Sequence, residues 1–201
     1  WASGMFRIYL ARSVYSRQSY RPPKVLYHRD GMVTTVTVEQ REAGISMKVN
    51  GKVDASNGTD MHTQILSGMW PMLLHGAARE VAMVGLGSGV TAGAILRFPV
   101  ERFRVIELEA AVDEGARFFA EYNHRYWEDP RLQMIFDDGR NYLAATKDTF
   151  DVIVSEPSNP WVSGASNLFT QEFWTIAARR LRPGGIFAQW LQLYELSADN
   201  I

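Results

Sequence analysis

The chain has 201 residues, of which 46% are hydrophobic and 21% charged, and its net charge is −1. This composition is typical of an ordinary soluble globular protein with one good core, or one core and a small appended domain. The chain contains no cysteine, which excludes disulfides, thiolate metal sites and a cysteine nucleophile. The four histidines show no metal-ligand spacing, and we therefore predict no metal site.

The charges are unevenly distributed. Residues 1–29 carry six basic residues and no acid, which leaves 15 basic and 22 acidic residues, a net charge of −7, in the rest. An acidic body argues against nucleic-acid binding and suits a cationic substrate. No apolar run reaches the roughly 18–20 residues of a membrane span, and no signal peptide is visible. The arginine-rich start, with Trp1 in place of Met, suits a solvated arm, an oligomer contact or the cytoplasmic side of a preceding membrane helix.

The sequence of residues 1–78 predicts three segments. Residues 1–24 form a basic arm or linker that closes on Pro22-Pro23, and residues 25–58 form a small β domain. Within that domain Asn50-Gly51 joins two short strands, and this dipeptide favours a type I′ hairpin turn. Residues 59–78 form a connecting or gate helix, in which Pro71 predicts a kink or a break near Trp70.

Residues 79–201 alternate between strand and helix patterns. Strands are expected at 81–85, 103–107, 132–136, 151–155 and 185–191, and helices near 90–97, 110–122, 139–146 and 170–181. Short connections between them predict an α/β class, a doubly wound Rossmann-like domain with its ligand at the carboxyl ends of the strands. Because the chain stops just after the fifth of these strands, we expect this domain to be truncated at its C-terminus.

A glycine-rich turn follows the first strand of this domain. Gly85, Gly87 and Gly89 allow a sharp turn and a close approach to a ligand, and Glu107 ends the next apolar run. A carboxylate in that position commonly accepts hydrogen bonds from the two hydroxyls of a ribose, which predicts nucleoside binding. A tight turn without a ligand is the simpler alternative.

Two further sets of polar residues follow directly after predicted strands. Asp138-Gly139 follows the third strand, where Asp138 can contact an adenine amino group or only cap a helix. Glu156 follows the fourth strand, and a carboxylate there can bind a cationic amine and take its proton. Partial burial would raise the pKa of Glu156 into a useful range, whereas an ordinary solvated glutamate would have no such role.

From about Val25 onward the chain resembles the spermidine synthase family, the polyamine aminopropyltransferases, which have a small β domain ahead of an S-adenosylmethionine-methyltransferase-type Rossmann domain. The resemblance rests on a set of short motifs, namely Gly85-Leu-Gly-Ser-Gly89, Glu107-Leu-Glu109, Asp137-Asp-Gly139, Glu156-Pro-Ser-Asn-Pro160, Leu168-Phe169 and Phe173-Trp174. The stretch from Asn50-Gly51 to Leu73 is also similar to the family's hairpin and gate.

The resemblance implies residue roles. Decarboxylated S-adenosylmethionine would be the co-substrate, held by Gln64, Gly85, Gly87, Ser88, Gly89, Glu107, Asp138 and Gly139. Glu156 would deprotonate the acceptor amine, which Asp60, Asn159 and Gln189 would bind. It also implies no metal, a homodimer and a cytoplasmic location, or the cytoplasmic face of a membrane, since some bacterial members carry a membrane region ahead of this domain.

Three departures from the family pattern keep other functions open. Ser88 replaces an aspartate that contacts the donor's ammonium, and serine there is common in methyltransferases that use intact S-adenosylmethionine. Asn159 is neutral where the family has a charge, and Thr63 stands where a tyrosine is frequent. The alternatives are therefore an S-adenosylmethionine-dependent methyltransferase and a non-catalytic module that binds a nucleoside or a polyamine.

Overall fold

A computed structural model describes residues 22–159 and 164–191, so residues 1–21 of the expected basic arm lie outside it. The chain first forms an antiparallel sheet in the order β1-β2-β3-β4, with β1 at Lys24–Asp30, β2 at Thr35–Arg41, β3 at Gly44–Val49 and β4 at Lys52–Ser56. The predicted hairpin turn is confirmed, because Asn50 and Gly51 both have positive φ angles, of 50° and 81°.

Helix α1 spans Met61–His75 and connects the two sheets. It runs on through Pro71, so of the two outcomes predicted near Trp70, a kink or a break, the break is wrong. Gly68, Pro71 and Met72 are buried, and tertiary packing therefore holds the helix together across the missing N–H of the proline. The helix ends at Gly76, whose φ of 75° lets its N–H donate to the Met72 carbonyl.

Among the described residues, the second sheet has five parallel strands in the order β7-β6-β5-β8-β9. They are β5 at Glu80–Val84, β6 at Arg102–Glu107, β7 at Leu132–Phe136, β8 at Phe150–Ser155 and β9 at Leu181–Gln189. Along β5, Val81 and Met83 join one apolar cluster whereas Ala82 and Val84 join another. This alternation shows that both faces of the sheet are covered, as the Rossmann-like prediction requires.

In the described part of the chain, four helices alternate with these strands, namely α2 at Val90–Ile95, α3 at Ala110–Ala116, α4 at Gly139–Ala145 and α5 at Gln171–Arg180, and helix α1 packs on β8 and β9. Helix α3 was predicted to reach residue 122, but it gives way to a 3-10 turn at Arg117–Phe119. Strand β9 starts four residues before its predicted first residue, 185. Since β9 is an edge strand, it tolerates Pro183-Gly184-Gly185, which in the sequence resembles a turn.

The small sheet lies against helix α3. Gly115 sits so close to Val36, Val38 and Met47 that a Cβ there would lie 3.0–3.4 Å from their side chains. Tyr27 and Arg29 add hydrogen bonds to the Glu114 carboxylate. This docking brings the small sheet beside the carboxyl ends of the parallel strands. Within the described ranges, no helix is both long and apolar enough to cross a bilayer.

Candidate active site at the strand ends

The glycine turn after β5 is in contact with the loop after β8. Gly85 has a φ of 87°, and its N–H donates to the Ile106 carbonyl at 2.9 Å. A Cβ on Gly85 would lie 2.5 Å from the carbonyl oxygen of Glu156. The Glu156 N–H in turn donates to the Val84 carbonyl at 2.9 Å. Only glycine at position 85 therefore allows the backbone of Glu156 to lie against the turn.

Glu107 is the last residue of β6, and it is buried, with 9% of its surface exposed. One oxygen accepts the N–H of Leu86 at 2.9 Å and the other accepts the N–H of Glu109 at 3.0 Å. Burial raises the pKa of Glu107 to about 7, although these backbone N–H groups favour the charged form. Each carboxylate oxygen keeps a lone pair for the cavity beside it, which suits a ligand with two hydroxyl groups.

Asp138 and Gly139 stand at the start of helix α4. The Asp138 side chain accepts the N–H of Asn141 at 2.8 Å and so caps the helix. A Cβ on Gly139 would lie 2.3 Å from a methyl group of Val84, so helix and strand approach closely here. Both residues line a cavity that we call the first cavity, and its lining also includes Gly85, Gly87, Glu107, Glu109 and Glu156.

A second cavity lies between helix α1 and the glycine turn. Its polar lining includes Asp60, Gln64, Ser88, Thr91 and Asn159. The Gln64 Nε2 donates to the Ser56 carbonyl and to Asp60, both at 2.9 Å, and its Oε1 accepts from the Ser88 hydroxyl. Ser88 is thus held by Gln64 and is 1% exposed. The second cavity therefore has a fixed polar wall.

The two cavities share part of their lining. Six residues line both of them, and we call this set the waist: Asp54, Leu86, Gly87, Glu156, Pro157 and Ser158. A ligand in the first cavity and a ligand in the second cavity would meet at the waist. Of the side chains in it, only those of Asp54, Glu156 and Ser158 are polar.

Glu156 has the properties of a proton acceptor at the waist. It is half-buried, and burial, with a contribution from the negative charge of Asp54, raises its pKa to about 7. Hydrogen bonding with Thr91 and Ser67 opposes this rise. A carboxylate with a pKa near neutrality can take a proton from a ligand and release it again at physiological pH.

The structure distributes the predicted residues over more than one place. Gln64 and Ser88, expected beside the donor, line the second cavity, together with Asp60 and Asn159. Gly89 lines neither cavity; a Cβ there would lie 2.3 Å from the ring of Tyr126, so this glycine serves packing. Gln189, expected beside the acceptor amine, lines a neighbouring groove between α1 and β9.

Two acidic residues of the site were not predicted from the sequence. Glu109 lines the first cavity and accepts the N–H of Val33 at 3.1 Å, which ties the small sheet to the Rossmann-like part. Its place in the Glu107-Leu-Glu109 motif was a usable signal. Asp54 lies on β4, and no sequence pattern relates it to the glycine turn.

The lining of the two cavities carries charge of one sign. Among the described residues it contains six acidic side chains, those of Asp54, Asp60, Glu107, Glu109, Asp138 and Glu156, and no lysine, arginine or histidine. A lining of this kind favours cationic ligands. The part of the chain that the structure describes contains no cluster of three or more metal-ligating side chains arranged to hold a metal ion.

Comparison with known proteins gives a consistent picture. Residues 61–199 match the family described as the spermine/spermidine synthase domain. The polyamine aminopropyltransferases of Shigella flexneri serotype 5b and Escherichia coli O1:K1 / APEC are each 32% identical to the chain over 173 residues. These matches cover 85% of this chain and 60% of each relative, so the chain spans about three fifths of their length.

Solved structures support the fold. A spermidine synthase in complex with the transition state analogue AdoDATO superposes with a TM-score of 0.77 at 24% identity, covering 83% of this chain and 57% of that one. The spermidine synthase of Thermotoga maritima gives a TM-score of 0.74 at 23% identity, covering 83% and 56%.

Proposed function

Since this chain belongs to the spermine/spermidine synthase family, we propose that it is a transferase that moves an aminopropyl group from decarboxylated S-adenosylmethionine to a polyamine-type amine. The observation that carries the proposal is the waist. Glu156 lines both cavities, so a single carboxylate borders the space for a donor and the space for an acceptor.

In this proposal the first cavity holds the nucleoside of the donor. Glu107 accepts hydrogen bonds from the ribose hydroxyls, while Asp138 and Gly139 border the base. Gly85 and Gly87 leave room for the sugar and the sulfur substituent, because no side chain projects from them. The pair of N–H groups that hold the Glu107 carboxylate fixes its direction.

The second cavity holds the acceptor amine. Asp60 and Asn159 border it, and Glu156 removes a proton from the attacking nitrogen at the waist. The nitrogen lone pair attacks the aminopropyl carbon next to the sulfonium, the carbon–sulfur bond breaks, and its electrons neutralise the sulfur. The products are a longer polyamine and 5′-methylthioadenosine. Holding nitrogen and carbon in line supplies most of the rate, since the sulfonium is already a good leaving group.

Gln189, Gln64, Ser88 and Gly89 have supporting roles in this proposal. Gln64 and Ser88 form a polar wall of the second cavity, and Gly89 lets helix α2 start close to Tyr126. Gln189 borders the groove next to the second cavity, where a long amine would continue. A homodimer in the cytoplasm, or on the cytoplasmic face of a membrane, remains part of the proposal from the sequence.

An initial-rate assay of 5′-methylthioadenosine formation from decarboxylated S-adenosylmethionine and putrescine tests the proposal. We expect turnover by the wild type and a decrease in kcat of roughly 10²–10⁴-fold in Glu156→Gln, the usual effect of losing a general base. Glu101→Gln is the control, because Glu101 is exposed and precedes β6 at the end away from the site. Equal activity of both variants would contradict the role of Glu156.

Methyl transfer from intact S-adenosylmethionine is the second candidate, and Ser88 is the observation that favours it. The glycine turn has no acidic side chain of its own to repel the carboxylate of this donor. Calorimetric titration of both donors, each with and without putrescine, separates the two functions. Preference for the decarboxylated donor, strengthened by putrescine, supports aminopropyl transfer, whereas preference for the intact donor supports methyl transfer. A chain that binds either ligand without turnover would be the non-catalytic module.

A further inference from the structure

Asp54 is placed where the two cavities meet. It lies on β4 of the small sheet, its side chain is exposed to solvent, and it lines both cavities together with Gly87 of the glycine turn. The Ser158 hydroxyl donates to its Oδ2 at 3.0 Å. This bond fixes the Asp54 side chain to the same loop that carries Glu156. Asp54 is therefore the second carboxylate of the waist.

The two cavities beside Asp54 attract a positive charge, although Lys52 on the same strand already favours the charged form of Asp54. Its charge disfavours ionisation of both Glu107 and Glu156, so each of these two carboxylates lies within electrostatic range of Asp54. Among the described residues that line the two cavities, none is a lysine, an arginine or a histidine. A cationic ligand at the waist would relieve the repulsion between these groups.

A second observation indicates a ligand that donates hydrogen bonds. Asn159 is 4% exposed and lines the second cavity, and its Oδ1 has no hydrogen-bond partner among residues 22–159 and 164–191. A buried amide oxygen without a donor is unfavourable by about 1–3 kcal/mol. An ammonium group has three N–H donors and can satisfy such an oxygen. Asn159 therefore indicates that the second cavity, which borders the waist, accepts a cationic hydrogen-bond donor.

We propose that Asp54 is the counter-ion of the ammonium group at the end of the donor's aminopropyl chain. The inference rests on the proposed function and adds a residue that determines donor specificity. The reaction involves two nitrogens, the donor's ammonium and the attacking nitrogen of the acceptor. A carboxylate paired with the first cannot also take the proton of the second. The waist offers one acid for each: Asp54 holds the ammonium, which keeps its proton throughout, and Glu156 receives the proton of the attacking nitrogen.

This assignment follows from the path of the donor. Its nucleoside occupies the first cavity, and its aminopropyl chain must reach the waist for the acceptor to attack it. The same charge discriminates between donors. Intact S-adenosylmethionine carries a carboxylate next to its ammonium, and Asp54 would repel it. Asp54 thus supplies the negative charge that the glycine turn lacks.

Calorimetric titration with three nucleosides tests the assignment. The ligands are decarboxylated S-adenosylmethionine, intact S-adenosylmethionine and 5′-methylthioadenosine, which has no ammonium group. In Asp54→Asn we expect about tenfold weaker binding of the decarboxylated donor, the usual loss for one charge-assisted hydrogen bond. Binding of 5′-methylthioadenosine should stay within about twofold, and the preference for the decarboxylated over the intact donor should shrink. Asp54→Glu keeps the charge and should retain part of that preference.

The control is Asp30→Asn, which removes the same charge from an exposed position on the small sheet that lines neither cavity. It should bind all three nucleosides like the wild type. Equal weakening of all three in Asp54→Asn would show a structural role and overturn the inference, and thermal melting of this variant checks that it is folded. Putrescine is titrated into the same variants, and unchanged donor binding with weaker putrescine binding in Asp54→Asn would assign the charge to the acceptor and also overturn the inference. A wild type that binds none of the three nucleosides refutes the proposed function itself.

Discussion

Replacing Gly85 by alanine tests how the glycine turn positions Glu156. The new Cβ would lie 2.5 Å from the Glu156 carbonyl oxygen, and ordinary contact begins near 3.4 Å, so this backbone must move by about 0.9 Å. A positive φ in an L-residue costs about 1–2 kcal/mol, and overpacking against a backbone atom adds about 1–3 kcal/mol. We therefore expect Gly85→Ala to lower the free energy of unfolding by about 2–5 kcal/mol.

Gly76→Ala is the matched control for this experiment. Gly76 has a φ of 75°, close to the 87° of Gly85, but no atom lies within 4 Å of the position of its Cβ. The control should therefore show only the dihedral penalty of about 1–2 kcal/mol in urea unfolding followed by circular dichroism. Initial rates give a second difference, because a displacement of about 1 Å at a reacting group can lower the rate by about 10²-fold. Equal stability and equal activity of the two variants would refute the reasoning.

Two further predictions concern titratable groups. Because Glu156 must lose its proton to act as a base and its pKa is about 7, the rate of transfer should rise as the pH increases through 7 and then level off; a flat profile between pH 5.5 and 8.5 would contradict this. Although burial alone would raise the pKa of Asp151, hydrogen bonds from the N–H groups of Glu80 and Arg79 and from the Arg182 side chain hold it below its usual value of 3.8. Asp151 thus stabilises the fold above that pH, and the stability is lost as the pH falls through its lowered pKa. At pH 7, Asp151→Asn should lower the free energy of unfolding in urea by about 1–3 kcal/mol, and this difference from the wild type should disappear in acid. A difference independent of pH would indicate lost packing instead.

The parallel sheet could be predicted from the sequence because its signals are local. The alternating strand and helix patterns and the glycine turn can each be recognised within a short stretch of sequence. Strand β7, for example, has its predicted bounds, Leu132–Phe136. The edge strand β9 and helix α1 depart from the prediction for a common reason. Pro71 and Pro183 are breakers in isolation, but burial in one case and an edge position in the other make them acceptable.

The candidate site was predictable only where it belongs to these local motifs. Glu107, Asp138 and Glu156 follow strands, so the topology alone brings them to one edge of the sheet. Asp54 reaches the waist because the small sheet docks on helix α3 through Gly115, and that contact joins segments far apart in the chain. For Gly89 the local motif predicted a ligand contact, whereas in the structure the close approach of Tyr126 explains why a glycine is needed.

The docking of the small sheet on helix α3 also bears on how such a protein can diversify. Backbone hydrogen bonds join Gly85 to Ile106 and Glu156 to Val84, and the N–H of Leu86 donates to the Glu107 carboxylate. Asp54 comes from a separate layer, whose strands are held among themselves by their own antiparallel ladder. If Asp54 selects the donor as we propose, substitutions at this position of β4 would alter which ligands are accepted without disturbing Glu107 and Glu156. Ligand choice and the reaction would then depend on different layers of the protein, and the cavity-facing positions of β4 are the place for a designed library.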